Sequence, residues 1–365
     1  MRTLFICRKG DASASDYPKH KDTGLFNSAS FVSNALNDMG IESKVVRVID
    51  NNEIDKEVYH YKPSVVFIEA IWVTPSKFEV LMKLHKHVTW VVRVHSKIPF
   101  LALEGVAMNW LNEYFKLSKK HKKFFVSFNA ENTTNDMNEI FNSNCVCLPC
   151  LYFPQDYNKT KDIFKNHTEH KSHIDVGCFG AIRPFKNQLM QAVAAIIFGK
   201  RINKPIKFHI NETRVEQNGN NVLKNLYNLF KDTPNTELVC HKWMEHHKFV
   251  KIVEKMDIGM QLSYSESFNI VTADFVWNNI PILVSPDITW MTDLYKCDPN
   301  NTEEIVEKMI KIYKCTMTDE SIIETIKHTF KNEEYKIHWI NKIRLLEYNK
   351  KASQMWIDFL KKHHK

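Results

Sequence analysis

Glycine is scarce: the 365-residue chain contains 9. So few glycines cannot serve every turn that needs a positive φ, and asparagine, which tolerates the left-handed region, is expected to stand in for some of them. Long apolar runs are also missing. None reaches the ~18 residues of a membrane-crossing helix, and Met1-Arg-Thr-Leu-Phe-Ile-Cys7 reads as a first strand, not a secretory signal. The expected location is the cytoplasm, or the host cytoplasm if the chain is viral. The 8 cysteines are dispersed, mostly in apolar runs (Cys7, Cys145, Cys147, Cys178, Cys240), which predicts reduced, buried thiols. Cys145-Val-Cys-Leu-Pro-Cys150 has no second cluster at zinc spacing, and His241, His246 and His247 have no such partners either. No Asp-x-Asp motif closes a strand. There is no short internal repeat.

What is present is ordinary for a globular protein: 44% hydrophobic and 25% charged residues, with length enough for two domains and two cores. The formal net charge of +8 favours polyanions without identifying one. Short apolar strands run from Thr3 to Cys7, Lys44 to Val48, Pro63 to Glu69, Thr89 to His95, Phe124 to Phe128 and Cys145 to Leu148. Helical spacing marks Asn27 to Met39 and Phe78 to Lys86 between them. The Asn/Lys/Asp-rich stretch Pro149 to Lys171 reads as a linker, after which strands and helices alternate again. Helices are expected from Asp319 to Thr329 and, amphipathic and long, from Trp339 to Leu360. The fold class this predicts is α/β, with two Rossmann-like domains over 1–150 and 151–335 facing across a cleft. A C-terminal helical segment, 336–365, packs back on the body.

Three places carry chemistry. Gly180-Ala-Ile-Arg-Pro-Phe-Lys-Asn187 follows a strand and opens a helix. Gly180 permits close backbone approach, and Arg183 and Lys186 set two cations beside a helix N-terminus, which suits a diphosphate. On its residues alone it is equally a solvated loop. Leu262 to Ser285 runs as strand end, polar turn, short helix and strand, with Glu266 and Asp274 placed to accept hydrogen bonds from hydroxyls or merely to cap the helix. His95 closes a strand of the first half and points into the cleft if the halves face each other. The run Lys119-Lys-His-Lys-Lys123 fits a solvated helix end, or a polyanion contact.

Together these segments resemble the retaining GT-B glycosyltransferases of the family-4-like type, glycosyl transferases group 1. Gly180 to Asn187 is similar to the family's Gly-x-x-x-Pro-x-Lys-Asn phosphate loop, and Tyr264-Ser-Glu-Ser-Phe-Asn-Ile-Val-Thr-Ala-Asp274 to its Glu-x7-Glu segment. Asn279-Ile-Pro-Ile-Leu283 resembles Gly-x-Pro-Val-Ile, and Val91 to His95 the strand that carries the active-site histidine. Leu148-Pro-Cys-Leu-Tyr152 takes the place of the start of the second domain, and Thr23-Gly24 that of a Gly-Gly acceptor loop. The chain departs from the pattern at Asp274 (for Glu), at Asn269 (for Gly) and at Arg183, two positions late.

The resemblance implies retaining transfer of a sugar from a nucleotide-sugar donor, without metal or other cofactor. Catalytic roles fall to His95, Glu266, Lys186 and Arg183. Donor contacts fall to Gly180, Ser265, Phe268, Asn269, Ile270 and Asp274, with Asp274 on the ribose. Acceptor contacts fall to Lys21, Thr23 and Gly24. The acceptor is a glycan, a small molecule or DNA, including a modified base in viral DNA. The alternatives are a GT-B nucleotide-sugar epimerase or phosphorylase, and a catalytically inactive sugar-nucleotide binding protein.

Overall fold

Val65-Val-Phe-Ile-Glu69 and Thr89-Trp-Val-Val-Arg-Val94 are buried along their whole length, as central strands of a parallel sheet covered on both faces must be. The computed structural model describes residues 1–9, 24–154, 171–314 and 339–363. The chain divides into two units, Met1–Lys159 with Asn349–Lys365, and Thr160–Tyr348.

In the first unit the elements are β1 (Arg2–Arg8), α1 (Gly24–Asp38), β2 (Glu42–Val48), α2 (Glu53–Tyr61), β3 (Val65–Glu69), α3 (Pro75–Leu84), β4 (Thr89–Val94), α4 (Ile98–Leu101), α5 (Ala107–Lys120), β5 (Phe124–Phe128), α6 (Glu131–Phe141) and β6 (Val146–Cys147). Its strands form a parallel sheet in the order β2-β1-β3-β4-β5-β6. In the second unit they are β7 (Ile174–Gly177), α7 (Gln188–Ile202), β8 (Ile206–Asn211), α8 (Gly219–Lys231), β9 (Thr236–His241), α9 (His246–Val253), β10 (Ile258–Gln261), α10 (Ile270–Trp277), β11 (Ile282–Val284) and α11 (Thr302–Lys314). This sheet is parallel too, in the order β11-β10-β7-β8-β9.

Each sheet begins in its middle. β1 lies between β2 and β3, and β7 between β8 and β10. The direction of winding therefore reverses at the β1/β3 and β7/β10 junctions, and a crevice opens there at the carboxyl ends of the strands.

A last helix, α12 (Trp339–His363), starts in the second unit and ends in the first. Its start is tied to the second unit by Asn341, whose Oδ1 accepts from Thr292 N and Thr292 Oγ1, each at 3.0 Å. Its end serves the first core: the Trp356 ring lies 5.1 Å from Phe67 and 5.8 Å from Phe5, and Trp356 Nε1 donates to Pro149 O at 2.8 Å. The helix expected from Asp319 to Thr329 lies outside the described residues.

The asparagine expectation holds. Among the described residues, ten other than glycine have positive φ, and seven of them are Asn142, Asn187, Asn203, Asn218, Asn235, Asn269 and Asn279. Some glycines are kept for contact instead. The Phe275 ring lies across β7 and β10 so closely that a Cβ on Gly177 would come within 2.7 Å of it, and one on Gly259 within 2.6 Å. The seven described cysteines are free, five of them buried. Among the described residues no helix is long and apolar enough to cross a membrane.

Gly259→Ala is expected to cost the second unit on the order of 1–3 kcal/mol through overpacking against Phe275, read as a lowered urea midpoint. Gly105→Ala, where a Cβ meets open space, is the control and should shift nothing.

Candidate functional site

The loops after β7 and β10 flank the reversal point of the second sheet. Gly180 has φ 115° and its N–H donates to Asn211 Oδ1 at 3.0 Å. Pro184–Lys186 then makes one tight turn, and Asn187 enters α7 with φ 56°. The Asn187 side chain does not cap that helix; its Nδ2 donates to Leu262 O at 3.2 Å and to Pro299 O at 2.9 Å. Tyr264 N donates to Phe185 O at 2.9 Å, so the two loops are bound to each other. The result is an ion pair between Lys186 Nζ and Glu266 Oε1. A Cβ on Gly180 would lie 3.7 Å from Lys186 Cε, so the lysine stem runs past the glycine. Burial pushes the Glu266 carboxyl up, but the charges of Lys186 and Arg183 outweigh it and hold the group below its usual value.

Arg183 joins a second set. Its Nη1 donates to Glu216 Oε2 at 3.2 Å, and Arg214 Nε donates to Glu216 Oε1 at 2.6 Å. The Arg214 guanidinium stands over the Trp243 ring at 4.6 Å. Glu216 is raised by burial and lowered more strongly by Arg214 and Arg183. With Lys186 and Glu266 these loops hold three cations against two carboxylates.

The remaining donor residues sit around α10. Asn269 takes φ 62°, as the glycine of the resembled motif would, and does more than a glycine can. Its Oδ1 accepts from Thr272 N at 2.9 Å and its Nδ2 donates to Gln261 Oε1 at 2.8 Å. Asp274 is buried, and its Oδ1 accepts from His246 Nε2 at 2.7 Å. The Phe268 ring belongs to the core, 5.7 Å from Trp290 and 5.4 Å from Tyr348. Ile270 opens α10, half-buried. Three hydroxyls here, Ser265 Oγ, Thr272 Oγ1 and Ser285 Oγ, are buried and have no hydrogen-bond partner among the described residues. Orphaned buried hydroxyls are rare, and a ligand with polar atoms is one reason to keep them.

His95 sits one residue past β4 in the first unit. Its Nε2 bonds Glu69 Oε2, and its Nδ1 lies 3.5 Å from Asn129 Nδ2 and 4.0 Å from Cys150 Sγ. Glu69 ends β3 and also pairs with Arg93 Nη1 at 3.1 Å, both side chains having no exposure. Arg93 further donates from Nε to Leu148 O and from Nη2 to Pro149 O, each at 3.3 Å. Burial raises Glu69, but Arg93 and His95 together hold it below its usual value. Ala70, directly after Glu69, has φ 70°, a strained conformation for a residue with a Cβ.

The structure thus joins Lys186 to Glu266 beside Gly180, while Arg183 goes to Glu216 and Asp274 to His246. Gly24 opens α1; Lys21 and Thr23 lie outside the described residues. Sequence reasoning missed Arg214, Glu216, His246, Glu69, Arg93, Asn129 and Cys150. For two of them a signal existed, because a charge inside or at the end of an apolar strand, as at Arg93 and Glu69, requires a partner. Among the described residues no group of three or more His, Cys, Asp or Glu side chains could hold a metal ion.

The two parallel sheets, with their helices, form the GT-B fold of glycosyltransferases, as expected from the resemblance. A glycosyltransferase from Rickettsia africae matches at TM-score 0.64 and 11% identity, over 100% of this chain and 98% of that one. A trehalose-6-phosphate protein from E. coli, bound with UDP-2-fluoro glucose, matches at TM-score 0.63 and 9% identity, over 100% and 99%. TarM from S. aureus, in complex with Fondaparinux, alpha-GlcNAc-glycerol and UDP, matches at TM-score 0.55 and 12% identity, over 80% of this chain and 54% of that one. No protein-family model and no curated protein matches the chain.

Two outcomes are expected. Arg93→Met leaves the buried Glu69 carboxylate with His95 alone and should cost the first unit about 3 kcal/mol or more in urea unfolding; adding Glu69→Leu should recover part of it. In the second unit, Glu266 and Glu216 have folded values below their unfolded ones. Their stabilisation is complete above the ordinary carboxylate range and is lost as pH falls through the folded values. Thermal midpoints of this unit should therefore hold down to about pH 5 and drop below about pH 4.

Proposed function

We propose that the protein is a retaining glycosyltransferase that takes a sugar from a nucleotide-sugar donor, with Lys186 and Arg183 rather than a metal ion carrying the leaving-group charge. The observation that carries this reading is the Lys186–Glu266 pair at the reversal point of the second sheet, with Arg183 on the same loop. In the free protein each partner neutralises the other. A nucleotide-sugar offers both what the pair wants: phosphate oxygens for Lys186 and sugar hydroxyls for Glu266. The Asn187 side chain holds the loop and leaves the first-turn N–H groups of α7 without a side-chain cap, facing the same diphosphate. The orphaned hydroxyls of Ser265, Thr272 and Ser285 add polar partners around α10. Neighbours with this fold include the protein bound with UDP-2-fluoro glucose and a trehalose-6-phosphate synthase studied for glycosyltransfer with retention.

As the bond to phosphate breaks, negative charge grows on the diphosphate and positive charge on the sugar. Lys186 and Arg183 stabilise the first, and Glu266 fixes the ring by its hydroxyls. His95, held by Glu69, takes the part of the catalytic histidine. Asp274 reaches the ribose through its bonded His246 rather than by a free carboxylate. The acceptor belongs to the first unit, near Lys21, Thr23 and Gly24, and is a glycan, a small molecule or DNA. A steep fall of acceptor binding with salt selects DNA.

The test is a panel of UDP-, GDP- and ADP-sugars scored by thermal shift and nucleotide release. Stabilisation by one donor class is expected, with Lys186→Ala lowering kcat on the order of 10²–10³-fold and weakening the free nucleotide. Glu266→Ala should lose transfer yet bind the free nucleotide at least as well as wild type, since Lys186 is released. No shift with any nucleotide overturns the reading; a changed sugar in the recovered donor turns it into an epimerase.

A further inference from the structure

In the first unit, four polar groups converge on one sulfur atom. Around Cys150 Sγ lie Ser28 Oγ at 3.3 Å, Asn129 Nδ2 at 3.3 Å, Arg93 Nη2 at 3.5 Å and His95 Nδ1 at 4.0 Å. They come from α1, from the end of β5 and from β4, so the fold itself assembles them. A thiol has one weak hydrogen to give and accepts poorly. Asn129 and Arg93 both donate to this sulfur, one of them from a guanidinium, and the imidazole stands beside it. That is the surrounding of an anion. Behind the imidazole, Glu69 bonds Nε2, so a carboxylate on one side and a sulfur on the other both favour a doubly protonated His95.

The electrostatics around the cysteines point the same way. Burial pushes Cys150 up, but Arg93 and His95 outweigh it and bring the thiol down to about 6. Burial carries Cys7, Cys147 and Cys240 upward, takes Cys145 to about 11, and takes Cys178 and Cys297 to about 12. Burial and Arg93 lower His95, yet Glu69 and Cys150 raise it further, above its usual value. The charged groups around Cys150 are Arg93, His95 and, behind them, Glu69; Cys147 is the nearest other titratable group on its own segment.

We propose that Cys150 is held as a thiolate opposite the His95 imidazolium and is a modification site for small hydroperoxides, whose oxidation switches off the function served by His95. The thiolate lone pair attacks the terminal OH oxygen of the peroxide, the S–O bond forms as the O–O bond breaks, and the leaving hydroxide (or alkoxide, from an organic hydroperoxide) takes the proton from His95 and departs as water or alcohol. Sulfur is oxidised to sulfenic acid and the peroxide is reduced. His95 is left neutral on the sulfur side, with Glu69 still on its Nε2. Cys150 keeps 4% exposure, which confines the proposal to reagents of peroxide size. A small thiol reverses the step by way of a mixed disulfide. The switching clause rests on the proposed transferase role of His95; the thiolate and its oxidation do not.

The test uses the full chain. The ultraviolet thiolate absorbance of wild type minus Cys150→Ser should titrate with a midpoint near 6; a difference signal that first rises in the ordinary thiol range, above about pH 8, overturns the proposal. Hydrogen peroxide at neutral pH, followed by dimedone on denaturation and mass mapping, should mark Cys150 before any other cysteine; marking another cysteine first also overturns it. Transfer activity should be lost in step with that mark and return with dithiothreitol, whereas Cys150→Ser treated with peroxide should match its own untreated sample. Oxidation of Cys150 with undiminished activity sinks the switch. A preparation with no transferase activity at all counts against the function proposed above, and the titration and mass readouts still decide Cys150.

Discussion

Arg93 and Glu69 form an ion pair with no exposure on either side, and the first unit is arranged around it. Two charges removed from water must be repaid by geometry, or the pair is a net loss. Arg93 meets that demand by spending its donors in several directions: on Glu69, on the Leu148 and Pro149 carbonyls, and on the Cys150 sulfur. Its guanidinium also stands 5.1 Å from the centre of the Trp356 ring. One side chain therefore fixes where β3 ends, where the chain runs after β6, and where α12 docks. Glu69, fixed in turn, sets His95. An apolar pair of similar volume would pack as well, but it would leave the imidazole and the Leu148–Cys150 segment without a reason to be where they are.

The second unit applies the same logic less severely. Lys186 and Glu266 keep 12% and 11% side-chain exposure, so their pair is protected from water without being sealed. A sealed pair is architecture; a pair at the mouth of a crevice can exchange partners. The difference follows from position. Arg93 lies inside β4, whereas Lys186 and Glu266 lie on loops beyond β7 and β10, at the reversal of winding where the strands part.

Much of this was legible in the sequence. Apolar runs of four to seven residues located the strands, because parallel strands are buried on both faces. Phe31, Val32, Ala35 and Leu36, at helical spacing, located α1. Four helices escaped, the single-turn α4 (Ile98–Leu101) among them. α6 buries Thr133, Thr134 and Met137, a face that hydropathy does not register, and α2 buries only Ile54 and Val58. α5 carries its apolar residues beside Asn, Glu and Lys, so its stripe is visible only once Leu111, Tyr114 and Phe115 are seen to share a face. At the site, the residue types on the Gly180 to Asn187 loop were readable because the loop is contiguous. The partners of Arg183 and Asp274 were not, since Glu216 and His246 lie tens of positions away in the chain and only sheet order brings them near. The Cys150 surroundings were hidden likewise, drawn from four segments between Ser28 and Cys150 itself.

Building left-handed corners from asparagine carries a liability that glycine does not. A side-chain amide hydrolyses slowly, faster in heat, and leaves an aspartate that still tolerates the same φ. The left-handed φ would survive such ageing; the charge pattern would not. At Asn187 the new carboxylate would face the Leu262 and Pro299 carbonyls with nothing left to donate, next to Lys186. At Asn269 it would keep the cap on Thr272 but lose the bond to Gln261, a turn away from Glu266. Old molecules would thus accumulate negative charge where the loops hold their positive excess.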